Sequence, residues 1–345
     1  MQDIPAVSVV IPLYNKGHYV ACALNSVLAQ SFQDFEVIVV DDGSIDDGAE
    51  VVLRFGDSRI RLIQQKNQGE SAARNRGIEE AKAGLIAFLD ADDEWLPGFL
   101  ETIIRLRKKY PEAGAYATAF MKKFSNGVHQ KQTFSGIPSG SWEGIIPSYF
   151  RSCAYGRLPV NASNVAIPRK IFYDVGMFPI GIWWGGDTDM WGRVALKYPI
   201  GFSSIYCSFY YVGATNRICN SLNTTEIHPF VRTARQAIAN DSVKASILPD
   251  LERYITKEIL QTAKFNLKAG RPDLARENLS QCHSNMLYMD QNIFRIWTYL
   301  PTPLFHLKER ALEYWLYGVL RIKQKISSKG EHLNAYTNNS ERDLD

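Results

Sequence analysis
The sequence predicts an α/β fold: a mostly parallel sheet with helices on both faces, followed by an α-helical region. Three observations predict it. Short apolar runs rich in β-branched residues recur through the first 125 residues and are continuous rather than alternating, as strands covered on both faces must be. Segments with helical apolar spacing separate them, and strand–helix–strand alternation argues parallel pairing. Polar residues gather directly after the runs, where ligands of such sheets bind.

In order, "VSVVI" (7–11) is the first strand, and Val20, Leu24, Val27 and Leu28 mark a helix over 17–30. "FEVIVV" (35–40) is the second strand and 46–55 a short helix. "IRLIQQ" (60–65), a helix over 71–83 and "LIAFL" (85–89) follow. Pro97 then opens the next helix in its first turn, where a missing N–H does no harm. "AYATAFMKKF" closes the alternation as another strand. The middle, 126–225, is richer in Gly, Pro, Trp and Tyr and less regular. From 226 to 326 the spacing is helical, with a hairpin reversing at Gly270-Arg271-Pro272. The polar end, 327–345, is expected to be disordered.

Bulk properties exclude several classes. With 345 residues, 46% hydrophobic and 22% charged, the chain can bury an ample core. A formal net charge of +3, without a long Lys/Arg run, gives no electrostatic footprint for nucleic acid. The five scattered cysteines form no CxxC pair, so neither a disulfide framework nor a zinc site is indicated. No apolar run reaches the roughly 18 residues that span a bilayer. "MQDIPAVSVVIPLYN" lacks a basic start and a small-residue cleavage site. A cytoplasmic protein is the expectation, with peripheral contact at the inner face of the plasma membrane left open.

Three strand ends carry the chemistry. The first gives Pro12-Leu13-Tyr14-Asn15, the second Asp41-Asp42-Gly43-Ser44, and the fourth Asp90-Ala91-Asp92-Asp93. Three carboxylates crowded after a buried strand repel one another, and a hard divalent cation would offset that cost. Neither GxGxxG nor GxxxxGK[ST] is present to cradle phosphate. Further on, "GDTDMWGR" places Asp187 and Asp189 beside aromatics.

"VSVVIPLYN", "VIVVDDGSIDD", "NQGESAARNRGIEEAKAGLIAFLDADD" and "GDTDMWGR", in this order, resemble the family 2 glycosyltransferases over residues 5 to 220. The resemblance implies a GT-A fold, a nucleotide-sugar donor (a UDP-sugar by the uracil acid), Mn²⁺ or Mg²⁺, and inversion at the anomeric carbon. It implies that Asp42 accepts the uracil N3–H, that Tyr14 packs on the base, and that Pro12 lies in the same nucleotide pocket. Asp90-Ala91-Asp92 matches the DxD pattern, in which one acid meets the ribose and another the metal. Asp93 leaves that division open, so Asp90, Asp92 and Asp93 are all candidate metal ligands. Capping of the following helix is the other reading of these acids.

Arg74, at the start of a helix where a cation is disfavoured, calls for an acidic partner; the resemblance implies the nucleotide or its flanking aspartates, and a salt bridge to Asp41 or Asp42 is the other reading. Inversion needs a carboxylate that takes the acceptor proton on the face opposite the phosphate. The family pattern puts Glu-Asp there, then x-Asp-Leu-Trp-x-Arg; here the Glu position is Gly186. Asp187 is the candidate base and Asp189 the reserve, since Asp189 could instead pair with Arg193 one turn on. Trp183 and Trp184 could stack on an acceptor sugar or pack beneath their loop. Arg217, in "ATNRICNS", could contact phosphate or remain a solvated surface residue.

Leu312, Trp315, Leu316, Val319 and Leu320 form one apolar stripe on a helix over 304–325. From Arg295 to Lys329 there are seven Lys/Arg and two acids. Such a helix can lie at a membrane surface, which would suit a lipid-linked glycan acceptor in surface polysaccharide synthesis. Packing on its own domain, or on a second copy in a homo-oligomer, is the alternative. The competing functional readings are a non-catalytic nucleotide-sugar or glycan-binding subunit, motivated by Gly186, and a nucleotidyltransferase. The latter would need a basic Gly-rich loop where "PLYNKGHYV" offers only Lys16.

Overall fold
The structure, a computed structural model, describes residues 4–215, 224, 226–282 and 288–299. Its sheet is built around four parallel strands, β1 (Val7–Leu13), β2 (Phe35–Asp41), β3 (Ile60–Gln64) and β4 (Leu85–Phe88), in the order β3-β2-β1-β4. The chain reverses its direction of winding at β1, so the carboxyl ends of β1, β2 and β4 open onto one crevice. Beyond β4 the order continues with β9 (Val165–Pro168), β6 (Ala115–Lys123), β10 (Ile200–Tyr211) and the two-residue β5 (Glu94–Trp95), while β7 (His129–Lys131) pairs with β6 and β8 (Glu143–Ile145) with β10. β9 runs antiparallel to both β4 and β6, whereas β6 and β10 are parallel.

Successive strand residues feed opposite cores, which is why the runs read as continuously apolar. Val10, Ile38, Val40, Ile86 and Phe88 belong to one buried cluster, and Val9, Ile11, Val37, Val39, Leu85 and Ala87 to the other. The second face is covered by α1 (Gly17–Leu28), α2 (Gly48–Leu53) and α4 (Phe99–Lys109). The first is covered by α3 (Glu70–Glu80), α5 (Tyr149–Tyr155), α6 (Arg169–Val175) and α7 (Gly186–Lys197). α3 lies so close to β1 that a Cβ on Gly77 would stand 2.3 Å from Val10 Cγ1, which accounts for that glycine.

The helical region does not start a new core at 226. Phe230, Val231 and Ala234 of α8 (Pro229–Ala239) join the first cluster with Leu251, Tyr254, Ile255 and Ile259 of α9 (Leu248–Lys268). The far half of α9 forms a smaller core with α10 (Pro272–Ser280) and Trp297 of α11 (Tyr288–Trp297). The hairpin turns at Gly270, whose φ of 74° suits glycine.

Boundaries differ from the sequence reading in identifiable places. α4 begins at Phe99, and Pro97 instead lies before it with its carbonyl accepting the Ser31 N–H at 2.8 Å. α3 ends at Glu80 because Ala81 turns to extended backbone. β10 was hidden within the irregular middle: its register slips between Ser203 and Tyr206 and again before Ser208, which breaks the alternation that would mark it. The expected helix 304–325 and tail 327–345 lie outside the described residues. Among the described residues no helix is long and apolar enough to cross a membrane.

Candidate active site
Hydrogen bonds within the strand-end loops set their shape. Asp41 Oδ1 accepts the Ser44 N–H at 2.9 Å, forming the turn after β2. Asn15, at φ 51°, is locked to that turn: its N–H donates to Ser44 Oγ at 3.0 Å, and its Oδ1 accepts the Ile45 N–H at 2.9 Å. The next acid, Asp42, is buried and organises the loop before α3. Its oxygens accept Gln65 Nε2 at 2.7 Å, the Gln68 N–H at 3.0 Å and the Gly69 N–H at 2.8 Å. Pro12 is paired within the sheet opposite Val40, and Tyr14, 48% exposed, stands at the rim.

The three acids after β4 have three different environments. Asp93 is 1% exposed; its Oδ2 accepts Ser163 Oγ at 2.5 Å and its Oδ1 the Tyr211 N–H at 2.8 Å. It ties the end of β4 to the entrance of β9 and the end of β10. Burial, with Asp92 and Asp90 adding repulsion, pushes its carboxyl well above the usual range. Asp90 accepts Arg74 Nη2 at 2.7 Å through Oδ1, and burial outweighs Arg74 to raise its carboxyl too. Asp92, with its side chain 16% exposed, receives the Lys16 ammonium at 2.7 Å. That ammonium also donates to the Thr215 carbonyl at 2.7 Å and lies 5.6 Å from the Tyr19 ring centroid.

Arg74 is 2% exposed. The acidic partners its position demanded are Glu70 and Asp90, both bonded to the same Nη2, and the guanidinium lies over the Phe178 ring. Burial opposes its charge, but Glu70, Asp90 and Asp187 together hold it protonated above the ordinary range. The Glu70 carboxyl, one turn earlier on α3, is pushed up to about 7 by burial; Arg74 opposes the rise, while Asp90 and Asp187 add to it. Its side chain keeps 39% exposure, so it stands at the mouth of this group rather than beneath it.

Asp187 reaches the same cluster from the other side of the chain, in the first turn of α7. It presses electrostatically on Glu70, Arg74 and Asp90 and accepts the Thr188 N–H at 2.7 Å. Two contacts bring it there. Asn75 of α3 clasps the backbone of Phe178, donating to its carbonyl and accepting its N–H, both at 2.9 Å. Gly185 caps α7 at φ 81°, against the buried His228 ring. Gly186 packs on α3: a Cβ there would stand 2.9 Å from Ser71 Oγ, so the glutamate of the family pattern has no room unless Ser71 moves.

Asp189 points away from the cluster. Its oxygens accept Arg193 Nε at 2.8 Å and Thr233 Oγ1 at 2.6 Å, joining α7 to α8. Arg193 in turn holds the carbonyls of Gly176 and Met177 at 2.9 and 2.8 Å. Trp184 packs edge-on against Phe265 at 4.6 Å and His228 at 4.7 Å, and Trp183 Nε1 donates to the Thr224 carbonyl at 3.1 Å. Aromatic packing beneath the loop is therefore their observed use. Arg217 lies outside the described residues.

Glu70, Lys16, Asn75 and Ser163 were not singled out from the sequence as site residues. Glu70 alone carried a usable signal, an acid four residues before an arginine on one helix face. Among the described residues no group of three or more His, Cys, Asp or Glu side chains has metal-site geometry. The donor chemistry of Asp92 and Asp90 still fits a hard divalent ion, which commonly takes one or two carboxylates and completes its shell with phosphate and water.

A mixed α/β sheet with acids after β2 and β4 at the carboxyl ends of its parallel strands is the architecture of the GT-A fold. The "Glycosyl transferase family 2" model matches residues 8–175, just under half of the chain. An uncharacterized glycosyltransferase of Rickettsia felis is 34% identical over 199 residues, 56% of this chain but 31% of that protein. A UDP-Glc:alpha-D-GlcNAc-diphosphoundecaprenol beta-1,3-glucosyltransferase, WfgD of Escherichia coli, is 39% identical over 104 residues, 30% of this chain and 41% of the relative. The chain thus spans well under half the length of either relative. The crystal structure of S. aureus TarS 1-349 in complex with UDP-GlcNAc superposes with a TM-score of 0.57 at 18% identity, over 85% of this chain and 90% of that one.

Proposed function
We propose that this protein is an inverting, metal-dependent glycosyltransferase that moves a sugar from a UDP-sugar to a hydroxyl of a glycan or lipid-linked glycan. The single observation that carries the reading is the packing of the first turn of α7, which bears Asp187, on α3 at Gly186 and Ser71, beside the Arg74–Asp90 pair after β4. It supports a reading in which Asp187 works opposite the acids of the DxD pattern. The name of the E. coli relative supports a UDP-sugar donor and a lipid-diphosphate-linked sugar as acceptor.

In this mechanism Tyr14 packs on the base, Asp42 fixes the loop beside it through its three accepted hydrogen bonds, Pro12 shapes the pocket, and Asp90 meets the ribose. Asp92 is the metal ligand, and Mn²⁺ or Mg²⁺ bound there would offset the charge that develops on the departing diphosphate. Asp93 acts as a scaffold for Asp90 and Asp92, since its oxygens are spent on Ser163 and Tyr211. The acceptor oxygen attacks the anomeric carbon from the Asp187 side as the bond from that carbon to the phosphate oxygen breaks. Asp187 takes the hydroxyl proton, and UDP leaves with the bonding pair. Asp189 holds α7 in place through Arg193 and Thr233.

The second reading, a non-catalytic binding subunit, draws on Gly186 standing where the family pattern has glutamate. Measurement of UDP released from a panel of UDP-sugars, with and without glycan acceptors, separates the two. Acceptor-stimulated release that is abolished by chelation supports transfer. Binding of UDP without release across the panel would support the subunit.

A further inference from the structure
Asp187 is the second residue of α7, so it can serve as a base only if the start of that helix is held in place. A displacement of about 1 Å at a reacting group costs on the order of 10²-fold in rate. One face of α7 lies against α8 and is shaped for close approach. Gly185, Asp189 and Gly192 share it, at i, i+4 and i+7. A Cβ at 192 would stand 2.1 Å from Phe230 Cε2, and Asp189 accepts Thr233 Oγ1 at 2.6 Å. At the end nearest Asp187 the neighbour is His228: a Cβ at 185 would stand 2.3 Å from its Nε2. That ring is 1% exposed and fixed on three sides. Its Nδ1 accepts the Phe230 N–H at 3.2 Å, capping α8, so the proton of the neutral imidazole lies on Nε2. Nε2 is 3.6 Å from Oε2 of Glu258, on α9, and the Trp184 ring closes the third side at 4.7 Å. The first backbone hydrogen bond of α7, from the Asp189 N–H to the Gly185 carbonyl at 2.9 Å, starts at the residue on which this ring presses.

We propose that His228 is a positioning residue for turnover: through its contact with Gly185 it sets the first turn of α7, and with it the Asp187 carboxylate. The inference rests on the reading of Asp187 as the base. It goes beyond that reading by giving the helical region after residue 226 a part in the reaction. His228 itself is buried behind α7 and acts only through Gly185. Two substitutions separate the two contacts of the ring. His228→Asn keeps a side-chain oxygen where Nδ1 caps α8 but leaves the space against Gly185 empty. His228→Gln reaches that space with its amide but gives up the cap, and with it stability.

The test compares both variants of the full chain with wild type. Turnover is read as acceptor-stimulated UDP release, with the UDP-sugar and glycan acceptor that the panel above selects. Calorimetry of UDP with Mn²⁺ and thermal melting are measured beside it. In His228→Asn kcat should fall about tenfold or more while UDP affinity stays within about threefold of wild type, as displacement of a base predicts. His228→Gln should melt lower than His228→Asn yet turn over faster. A histidine that serves stability alone gives turnover in the same order as melting temperature, and that order would overturn the proposal. Wild-type kcat in His228→Asn would overturn it too. Absence of acceptor-stimulated release in the wild type would instead overturn the transferase reading, and the inference with it.

Discussion

Lys16 Nζ lies 2.7 Å from Asp92 Oδ2, so the carboxylate best placed to receive a metal ion already has a cation of its own. The pair is only partly exposed, with side-chain values of 13% and 16%. A metal arriving at Asp92 must displace or share this ammonium. An ion pair of this kind contributes about 1 kcal/mol, which corresponds to roughly fivefold in affinity. Lys16→Gln should therefore bind Mn²⁺ several-fold more tightly than wild type when no nucleotide is present, measured from the free-Mn²⁺ signal in electron paramagnetic resonance. Weaker binding in the variant would show that Lys16 helps the cation rather than competes with it.

Asp93 and Asp92 are neighbours with opposite assignments. Removing Asp93 leaves Ser163 Oγ and the Tyr211 N–H without their buried acceptor, at a cost of about 2–3 kcal/mol. Urea unfolding of Asp93→Ala should show that loss through a lower midpoint. UDP affinity below the unfolding transition should stay near wild type. A stable Asp93→Ala chain that no longer binds Mn²⁺ would make Asp93 a ligand after all.

Gly186 and Ser71 form a testable steric pair, because a Cβ at 186 would meet Ser71 Oγ at 2.9 Å. Gly186→Ala should lose about 1 kcal/mol of stability by overpacking. Combined with Ser71→Ala, which removes the obstructing oxygen, most of that loss should return. Additive losses in the double-mutant cycle would show that the two sites do not interact.

The pH dependence of stability reports on Glu70. Its carboxyl titrates near 4.5 in the unfolded chain and is raised to about 7 in the folded protein, chiefly by burial. Between these values the folded state holds a proton that the unfolded state has released, so stability falls as pH rises from about 4.5 to about 7. Glu70→Gln abolishes this contribution. The melting temperature of the variant relative to wild type should thus increase across that window and level off above it. A difference that is flat with pH would mean that Glu70 titrates normally.

The sequence made the nucleotide half of the fold readable because each of its strands is buried on both faces and each ends at an acid or a turn. β10 escaped because its bulges break the period, and β9 because four residues, Val165–Pro168, give too short a pattern. Asp42, Arg74, Asp90, Asp92 and Asp187 could be singled out because their residue types are costly where they stand. The distinction between Asp187 and Asp189 needed three dimensions: helical spacing showed that Asp189 could pair with Arg193, but not that Thr233, 44 residues away, would take its other oxygen. Glu70 and Lys16 were overlooked for the same reason, since surface-type residues declare a role only through what the fold brings against them.

The central claim is that Asp92 serves the leaving diphosphate and Asp187 the attacking hydroxyl. Calorimetric titration of UDP with and without Mn²⁺, paired with acceptor-stimulated UDP release, tests it in wild type, Asp92→Asn and Asp187→Asn. Asp92→Asn should lose the Mn²⁺-dependent part of UDP binding. Asp187→Asn should keep UDP affinity within threefold while turnover falls about 10²-fold or more, as loss of a general base predicts. Metal-dependent binding that survives Asp92→Asn, or turnover that survives Asp187→Asn, would contradict the account.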